Sequence, residues 1–509
     1  MPDRNGRPEN SDTRILVRLE KMHWVYHEPM LAYQQLAEQF GKNAVYILES
    51  MEGPERYSRF GYIGFDPLFR IRFWRRRLEL TGSSPLTALI RQRILDSGLV
   101  EDTADALHIQ DDVQAWAVLR FVSDLFDIRP KLEVEEFSFG WFGYFGYDAI
   151  HYIEKLPYRI QDNQPWPDID LAIYRGVLRY DRKLQTMQVT LAHQASLWPQ
   201  TPAISYVESL TDTAATLYQE APSIEPPEVV TDTMEKDAFL DAVETAKEHI
   251  RSGDIYQIQV GHAIHIRSNA APMDVYLRLR ARNPSPFMYY APMGAGFLIG
   301  ASPELHIRCS NGSVTMRPIA GTAPRGETPA EDEASMHRMR QSEKEIAEHI
   351  MLVDLCRNDL ARISETGTLC MEDMMIVESY SHVHHLVSTV SARLASRCDV
   401  YDVITATFPA GTMTGAPKVR AMEIIEDLEV TRRGPYAGAV GLIDFGGFCE
   451  LALCIRSTSY HDREFVIRAS AGVVFDSVPI REWEETLHKM GATFWAITGE
   501  ELRHANLAD

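Results

Sequence analysis

Two stretches of the sequence each place a pair of carboxylates three residues apart in a helix-forming run. Glu345 and Glu348 lie in EKEIAEH, and Glu482 and Glu485 lie in REWEET. A spacing of three is close to one helical turn, so the members of each pair share a face. Lys489, four residues beyond Glu485, continues the second stripe. Either pair taken alone is most often a solvated helix face. Turned toward one cavity, four carboxylates would repel one another unless a cation joined them. An all-oxygen donor set suits Mg²⁺, with waters and an anionic substrate completing its shell.

Three glycine-rich segments are the next candidates: PIAGTAPRG (318–326), FPAGTMTGAPK (408–418) and RASAGVVF (468–475). Glycine lets backbone N–H groups approach a ligand, and Thr322, Thr412 and Thr414 add hydroxyls. None is a phosphate loop or a dinucleotide fingerprint, and turns at strand ends explain each one taken singly. In SHVHHL (381–386) the histidines face different ways on any regular element, so a single working imidazole suits the cluster better than a metal site. No G-x-S-x-G elbow and no glutaminase-like cysteine turn is present.

The elements that must position these residues are legible as strands and helices in mixed order. The pattern predicts a helix over 236–252, strands over 255–267, 287–301, 304–308 and 313–317, and a long helix near 341–362. Strands at 438–445, 450–458 and 465–474 follow, then a final helix at about 479–498. Upstream, 15–195 reads as short alternating strands with a few helices. FRIRFWRRRL (69–78) has the period of a half-buried strand, with arginines 75–77 at a solvated end. Residues 1–14 read as a disordered tail. The segment 196–235 reads as a connector, with one helix at 204–219 and then a Pro-rich acidic stretch. Strands and helices do not alternate strictly, which predicts an α+β fold: large mixed sheets with helices packed outside, residues 15–195 forming a smaller domain and 236–509 the catalytic one.

The 509 residues carry 51 Lys plus Arg against 72 Asp plus Glu, a formal charge of −21. That balance excludes a general nucleic-acid binder, which needs a basic footprint, and an apolar content of 45% excludes a mostly disordered chain. Six cysteines without a C-x-x-C pair fit a reducing compartment. The polar start lacks a signal peptide's apolar run, and YYAPMGAGFLIGA (289–301) is too short to span a bilayer, so the expected location is the cytoplasm, away from membranes.

A run of ordered motifs then resembles the chorismate-utilising enzymes, most closely the large subunit of anthranilate synthase. The motifs are DIYQIQVG (254–261), SPE (302–304), PIAGT (318–322), EKEIAEHIMLVDLCRNDLARI (343–363), FPAGTMTGAPKVRAM (408–422), GPYAGAVG (434–441), CIRS (454–457) and the last helix. The upstream segment YILESMEGPERYSRFGYIG (46–64) resembles that subunit's amino-terminal regulatory domain.

The resemblance implies Mg²⁺ held by Glu345, Glu348, Glu482 and Glu485, with Glu348 and Glu485 closest. Gly321, Thr322, Tyr436, Arg456, Gly472 and Lys489 become substrate contacts, and Arg456 suits a planar carboxylate. Glu304 resembles the general acid that helps expel the hydroxyl of ring carbon 4. Relatives that add water carry a lysine base in the 254–260 segment, where this chain has Gln257 and no lysine. Ammonia is therefore the implied nucleophile. Alanine at 320 removes the lysine that folate-pathway relatives use there, which points to amination at ring carbon 2. His385 matches the histidine that assists the later loss of pyruvate and Thr412 matches a neighbouring site threonine, so with both present anthranilate is the implied product, in tryptophan or secondary-metabolite biosynthesis. The competing readings are a 2-amino-2-deoxyisochorismate synthase that stops before elimination, and a silent homologue that only binds aromatic ligands.

One departure stands out: Ser470-Ala471-Gly472 replaces the family's G-A-G. His262 is also unexpected and has no interpretation from sequence. No segment resembles an amidotransferase, so the resemblance implies a separate glutamine-hydrolysing small subunit and leaves room for a homo- or hetero-oligomer. Finally, LES (48–50) and NPSPFM (283–288) resemble the two segments that meet to bind L-tryptophan as a feedback inhibitor, implicating Glu49, Ser50, Pro284 and Met288.

Overall fold

The computed structural model describes residues 14–24, 26–53, 59–103, 106–131, 135–160, 164–198, 224–380 and 383–503, apart from the side chains at 322 and 344. The amino-terminal tail, the helix expected at 204–219 and most of the connector lie outside the described residues.

The strand Gln257–Arg267 shows how alternation builds the site. Ile258, Val260, Ile264 and Ile266 interleave with Gln257, Gln259, Ala263 and His265. Its antiparallel partner Glu464–Val473 sets Gln259 opposite Gly472, Gly261 opposite Ser470 and Ala263 opposite Arg468. Successive side chains of a strand point to opposite faces, so the glutamines, Ser470 and Gly472 share one face and the branched apolar set shares the other. That apolar face is buried beneath Phe239 of the helix Lys236–Arg251 and Trp483, Met490 and Phe494 of the helix Pro479–Thr498.

Two sheets are joined by two long strands, Phe60–Trp74 and Ile169–Asp181, which pair along nearly their whole length. Near residues 60–65 they belong to a first sheet. It continues through Val45–Glu49, Phe287–Pro292, Phe297–Ser302, Ser457–His461 and Glu464–Val473 to Gln257–Arg267. Beyond the register shift at Pro67/Phe69 they belong to a second sheet. That one runs through Gly140–Phe145, Ala439–Asp444, Cys449–Leu453, Leu305–Ser310 and Ser313–Met316 to Val383–Arg393. The strands Ile319–Pro324 and Cys370–Ser379 flank Val383–Arg393 on its two edges. Strands from 15–195 and from 236–509 thus hydrogen-bond within both sheets.

Between the sheets lies an aromatic core of Tyr46, Phe142, Tyr174 and Tyr289, with the Tyr46 and Phe142 rings stacked 3.6 Å apart. Helices cover the outer faces, as expected for α+β layering. Among the described residues no helix is long and apolar enough to cross a membrane.

Some expected elements are divided. The run 287–301 is a hairpin turning after Pro292, and 450–458 breaks into Cys449–Leu453 and Ser457–His461. FRIRFWRRRL is also a hairpin, with Arg75 in the left-handed region at φ 53 rather than on a continuing strand. The break at 454–456 matters most, because there the chain crosses from the second sheet to the first. Pro303 and Glu304 make the reverse crossing. The two crossings lie side by side: Leu453 N donates to Glu304 O at 3.0 Å, and Ala301 N donates to Arg456 O at 3.1 Å.

Candidate active site

Glu304 and Arg456, one on each crossing, open into a cavity of about 1760 Å³ measured out to its mouth. Glu345 and Glu348 reach it from one wall and Glu482 and Glu485 from another, while Gln257, His385, Thr412 and Lys489 also line it. Gly321, Tyr436 and Gly472 complete the set of expected residues on its surface. Thr322 pairs with His385 in the sheet, but its side chain lies outside the described residues.

Glu304 is 8% exposed, and Oε1 accepts a hydrogen bond from the Thr412 hydroxyl at 3.1 Å. Burial pushes its carboxyl up to about 8, against the opposing pulls of Thr412, Lys489 and Arg456. Removal from water penalises the charged form, so this group is an acid that keeps its proton at neutral pH. That is what protonating a leaving hydroxyl requires.

His385 is set by a bulge. Gly321 has φ 67, and the pairing of Ile319–Pro324 with Val383–Arg393 shifts register between Ala320 and Thr322. A Cβ at 321 would stand 3.0 Å from the Glu345 Oε2 as well as being strained, which is why glycine is needed there. The Gly321 carbonyl lies 3.0 Å from His385 Nδ1. A carbonyl only accepts, so Nδ1 carries the proton and Nε2 carries the lone pair. Burial lowers the imidazole pKa, favouring the neutral base. His384, by contrast, is buried against Asp332 and Ser379 at 2.8 Å each, while His382 lies outside the described residues.

One wall of the cavity carries two amides. Gln257 donates from Nε2 to Glu348 Oε1 at 3.1 Å, and its own Oε1 is buried without a hydrogen-bond partner among the described residues. Gln259, two residues on and on the same face, was not singled out from sequence although strand alternation implies it. A Cβ on Gly472 would come within 2.9 Å of the Gln257 amide and 3.1 Å of the Gln259 amide.

Both carboxylate pairs occupy the first two turns of their helices. Ser342 caps Glu343–Ala361 by accepting from Glu345 N at 3.4 Å. The helix Pro479–Thr498 opens on its proline, whose missing N–H would have no intrahelical partner there in any case. The positive ends of both helix dipoles therefore lie beside the carboxylates. Lys489 donates to Glu485 at 2.6 Å and to the Ser470 carbonyl at 2.8 Å. The donor type fits a hard cation. Among the described residues, however, no three acidic, His or Cys side chains are gathered into a ready metal cluster.

His262 is explained. Its Nδ1 meets Asp232 and its Nε2 meets Thr486, each at 2.8 Å, and its ring stacks on Trp483 at 4.5 Å. It pins the helix bearing Glu482 and Glu485 to the sheet. A second positioning group was missed because its members are remote in sequence. Glu429, Arg433 and Arg468 form a buried network in which Glu429 also accepts from Gly261 N at 3.0 Å. Burial alone would raise the Glu429 carboxyl, but the two guanidiniums hold it below its ordinary value. Arg433 also donates to Met413 O at 2.7 Å and to Gln259 O at 3.0 Å, tying the turn of Thr412 to the amide wall.

The segments expected to bind tryptophan meet elsewhere. Glu49 and Met288 are cross-strand partners, and together with Ser50 they line a separate, narrow pocket. Pro286 and Phe287 line it as well, whereas Pro284 does not. Glu49 is already engaged by Arg280, at 2.8 and 3.0 Å, and by the Tyr276 hydroxyl at 2.5 Å.

Comparison with known proteins places these features in context. The pattern of the chorismate binding enzyme family matches residues 70–494. A 2-amino-4-deoxychorismate synthase from Streptomyces globisporus is 46% identical, covering 92% of this chain and 94% of that protein. Anthranilate synthase component 1 of Acetivibrio thermocellus is 35% identical, covering 89% and 90%. The crystal structure of anthranilate synthase component I from Streptococcus pneumoniae superposes with a TM-score of 0.72 at 30% identity, covering 87% of this chain and 93% of that one.

Proposed function

The chain belongs to the chorismate-binding enzyme family, and we propose that it aminates chorismate at ring carbon 2 with ammonia, releasing 2-amino-4-deoxychorismate. The observation that carries this reading is Glu304, 8% exposed and with its carboxyl pushed up to about 8 by burial, lining one cavity with Gln257 and Gln259 of a strand segment that carries no lysine. Similarity to the Streptomyces globisporus protein supports the choice of product.

In this reading the ammonia lone pair forms a bond to ring carbon 2, and the two ring double bonds shift. The carbon 4–oxygen bond breaks as Glu304 gives its proton to the departing oxygen, which leaves as water. The new ammonium then surrenders a proton, and the acid is restored. Carbon 2 gains the amino group and keeps its own hydrogen while carbon 4 loses its hydroxyl, which gives the amino, deoxy ring that the product's name describes. It is the same compound as 2-amino-2-deoxyisochorismate. Gln257 Oε1, buried and unpartnered, is placed to accept an N–H of the entering ammonia. Arg456 and Lys489 offset the charge of the dianionic substrate. Glu348 and Glu485 would hold Mg²⁺, and the ion would neutralise the ring carboxylate.

A second reading continues to anthranilate. It is favoured by His385, a neutral imidazole that has the lone pair needed to take the carbon 2 proton while pyruvate departs from carbon 3. A silent homologue is disfavoured because the acid, the imidazole and all four helix carboxylates line one cavity. We further propose a separate glutamine-hydrolysing partner, L-tryptophan as regulator, and a cytoplasmic location. Identifying by mass the products formed from chorismate, Mg²⁺ and ammonium tests the reading. An aminated ring supports it, and recovery of chorismate unchanged refutes it.

A further inference from the structure

Ser470 lies on the cavity-facing side of Glu464–Val473, directly opposite Gly261, and is 1% exposed. A Cβ at 261 would come 2.3 Å from the serine Oγ, so the glycine is what makes room for the hydroxyl. That hydroxyl accepts a hydrogen bond from the Tyr436 O–H at 3.1 Å. Ser470 lines the main cavity, and Tyr436, with Arg468, lines both that cavity and a second one on its other side. A phenol carries a single proton. While Tyr436 spends it on Ser470, that donor is withdrawn from any carboxylate bound in the main cavity. Without a hydroxyl at 470, the same proton would be available to the ligand as a charge-assisted bond.

We propose that Ser470 is a specificity-determining residue: by engaging Tyr436 it shortens the stay of the aminated ring and favours its release over loss of pyruvate. The inference rests on the amination reading given above. Ser470 neither touches the reacting atoms nor supplies a proton to them. It acts through Tyr436, and its signature is therefore a product ratio that depends on Tyr436.

The test measures the ratio of anthranilate to 2-amino-4-deoxychorismate at saturating chorismate and ammonium. The proteins are the parent, Ser470→Ala, Ser470→Gly, Tyr436→Phe and the Tyr436→Phe/Ser470→Ala double variant. Ser470→Ala and Ser470→Gly raise the ratio about tenfold, the worth of one hydrogen bond to a charged group. In the Tyr436→Phe background the Ser470→Ala change leaves the ratio where it was, because the donor is gone. A parent that aminates chorismate but whose ratio ignores Ser470→Ala overturns this inference alone, as does an equal shift in both backgrounds. A parent that does not aminate chorismate overturns the reading beneath it, and this inference with it.

Discussion

Thr412 donates its hydroxyl to Glu304 Oε1 at 3.1 Å, joining a turn of the 408–418 segment to the chain crossing between the two sheets. The same turn is held to the strand of Gln259 by Arg433. Acid and amide wall are thus parts of one framework, and the distance between them is set by a buried ion network rather than by loop conformation.

The elevated Glu304 pKa gives a pH signature of known sign. The acid form is lost as pH rises through about 8, so turnover should fall there. Glu304→Gln should lower turnover by about 10²- to 10⁴-fold, the range for a general acid. Stability has the matching sign. Burial raises the folded-state value from 4.5 to about 8, so the folded protein holds this proton more tightly than the unfolded chain does. Its contribution to stability is therefore greatest below 4.5 and is lost as pH climbs to about 8. Glutamine does not ionise, so the melting temperature of Glu304→Gln should gain on the parent's from about pH 5 to about pH 8. A constant difference across that window would count against a buried, proton-holding Glu304.

Glu485→Gln should abolish ammonia-dependent activity while leaving the circular dichroism spectrum unchanged. The Glu485 side chain is 47% exposed, so no core is disturbed when its charge is removed. Mg²⁺ affinity, measured by calorimetry on the same variant, should fall in parallel. Near-parental turnover and affinity would remove Glu485 from the cation site.

His385→Met roughly keeps the volume of the side chain but removes the basic nitrogen, and should eliminate whatever anthranilate the parent forms while amination continues. Chromatography of the products decides the matter. Anthranilate at the parental rate would deprive His385 of its role.

Several of these residues were legible in the sequence for a physical reason. The helix Pro479–Thr498 matches the expected span because an initial proline and Gly499, at φ 81, bound an amphipathic run. Alternation in QIQVGHAIHIR puts Gln257 and Gln259 on one face of the strand, and that face lines the cavity. The break before Glu304 was legible between the strands expected at 287–301 and 304–308, whereas the crossing at Arg456 was not, because 450–458 reads as one strand and nothing local marks its change of sheet. The helix Pro329–Gln341, capped by Thr328 and Glu331, was missed although its capping box can be read directly from TPAE. The Glu429–Arg433–Arg468 network and the fit of Ser470 against Gly261 depend on contacts between distant segments, which no local pattern encodes.

L-tryptophan should bind the separate cavity beside Ser50 and Met288 and compete energetically with chorismate, each weakening the other by the same factor. Ser50 Oγ donates to Phe60 O at 2.7 Å, so Ser50→Phe both breaks that contact and fills the cavity. Titration calorimetry should detect tryptophan binding to the parent and its loss in the variant. No binding by the parent would refute the regulatory proposal and leave the catalytic one standing.

The central claim is tested most directly by incubating the purified chain with chorismate, Mg²⁺ and ¹⁵N-ammonium, and following the products by mass spectrometry. The account predicts a labelled ring product formed with loss of water, its nitrogen on carbon 2. With glutamine as the sole nitrogen source, and no second subunit present, it predicts no such product. Isochorismate in place of a labelled amine, or robust glutamine-dependent labelling by this chain alone, would contradict it.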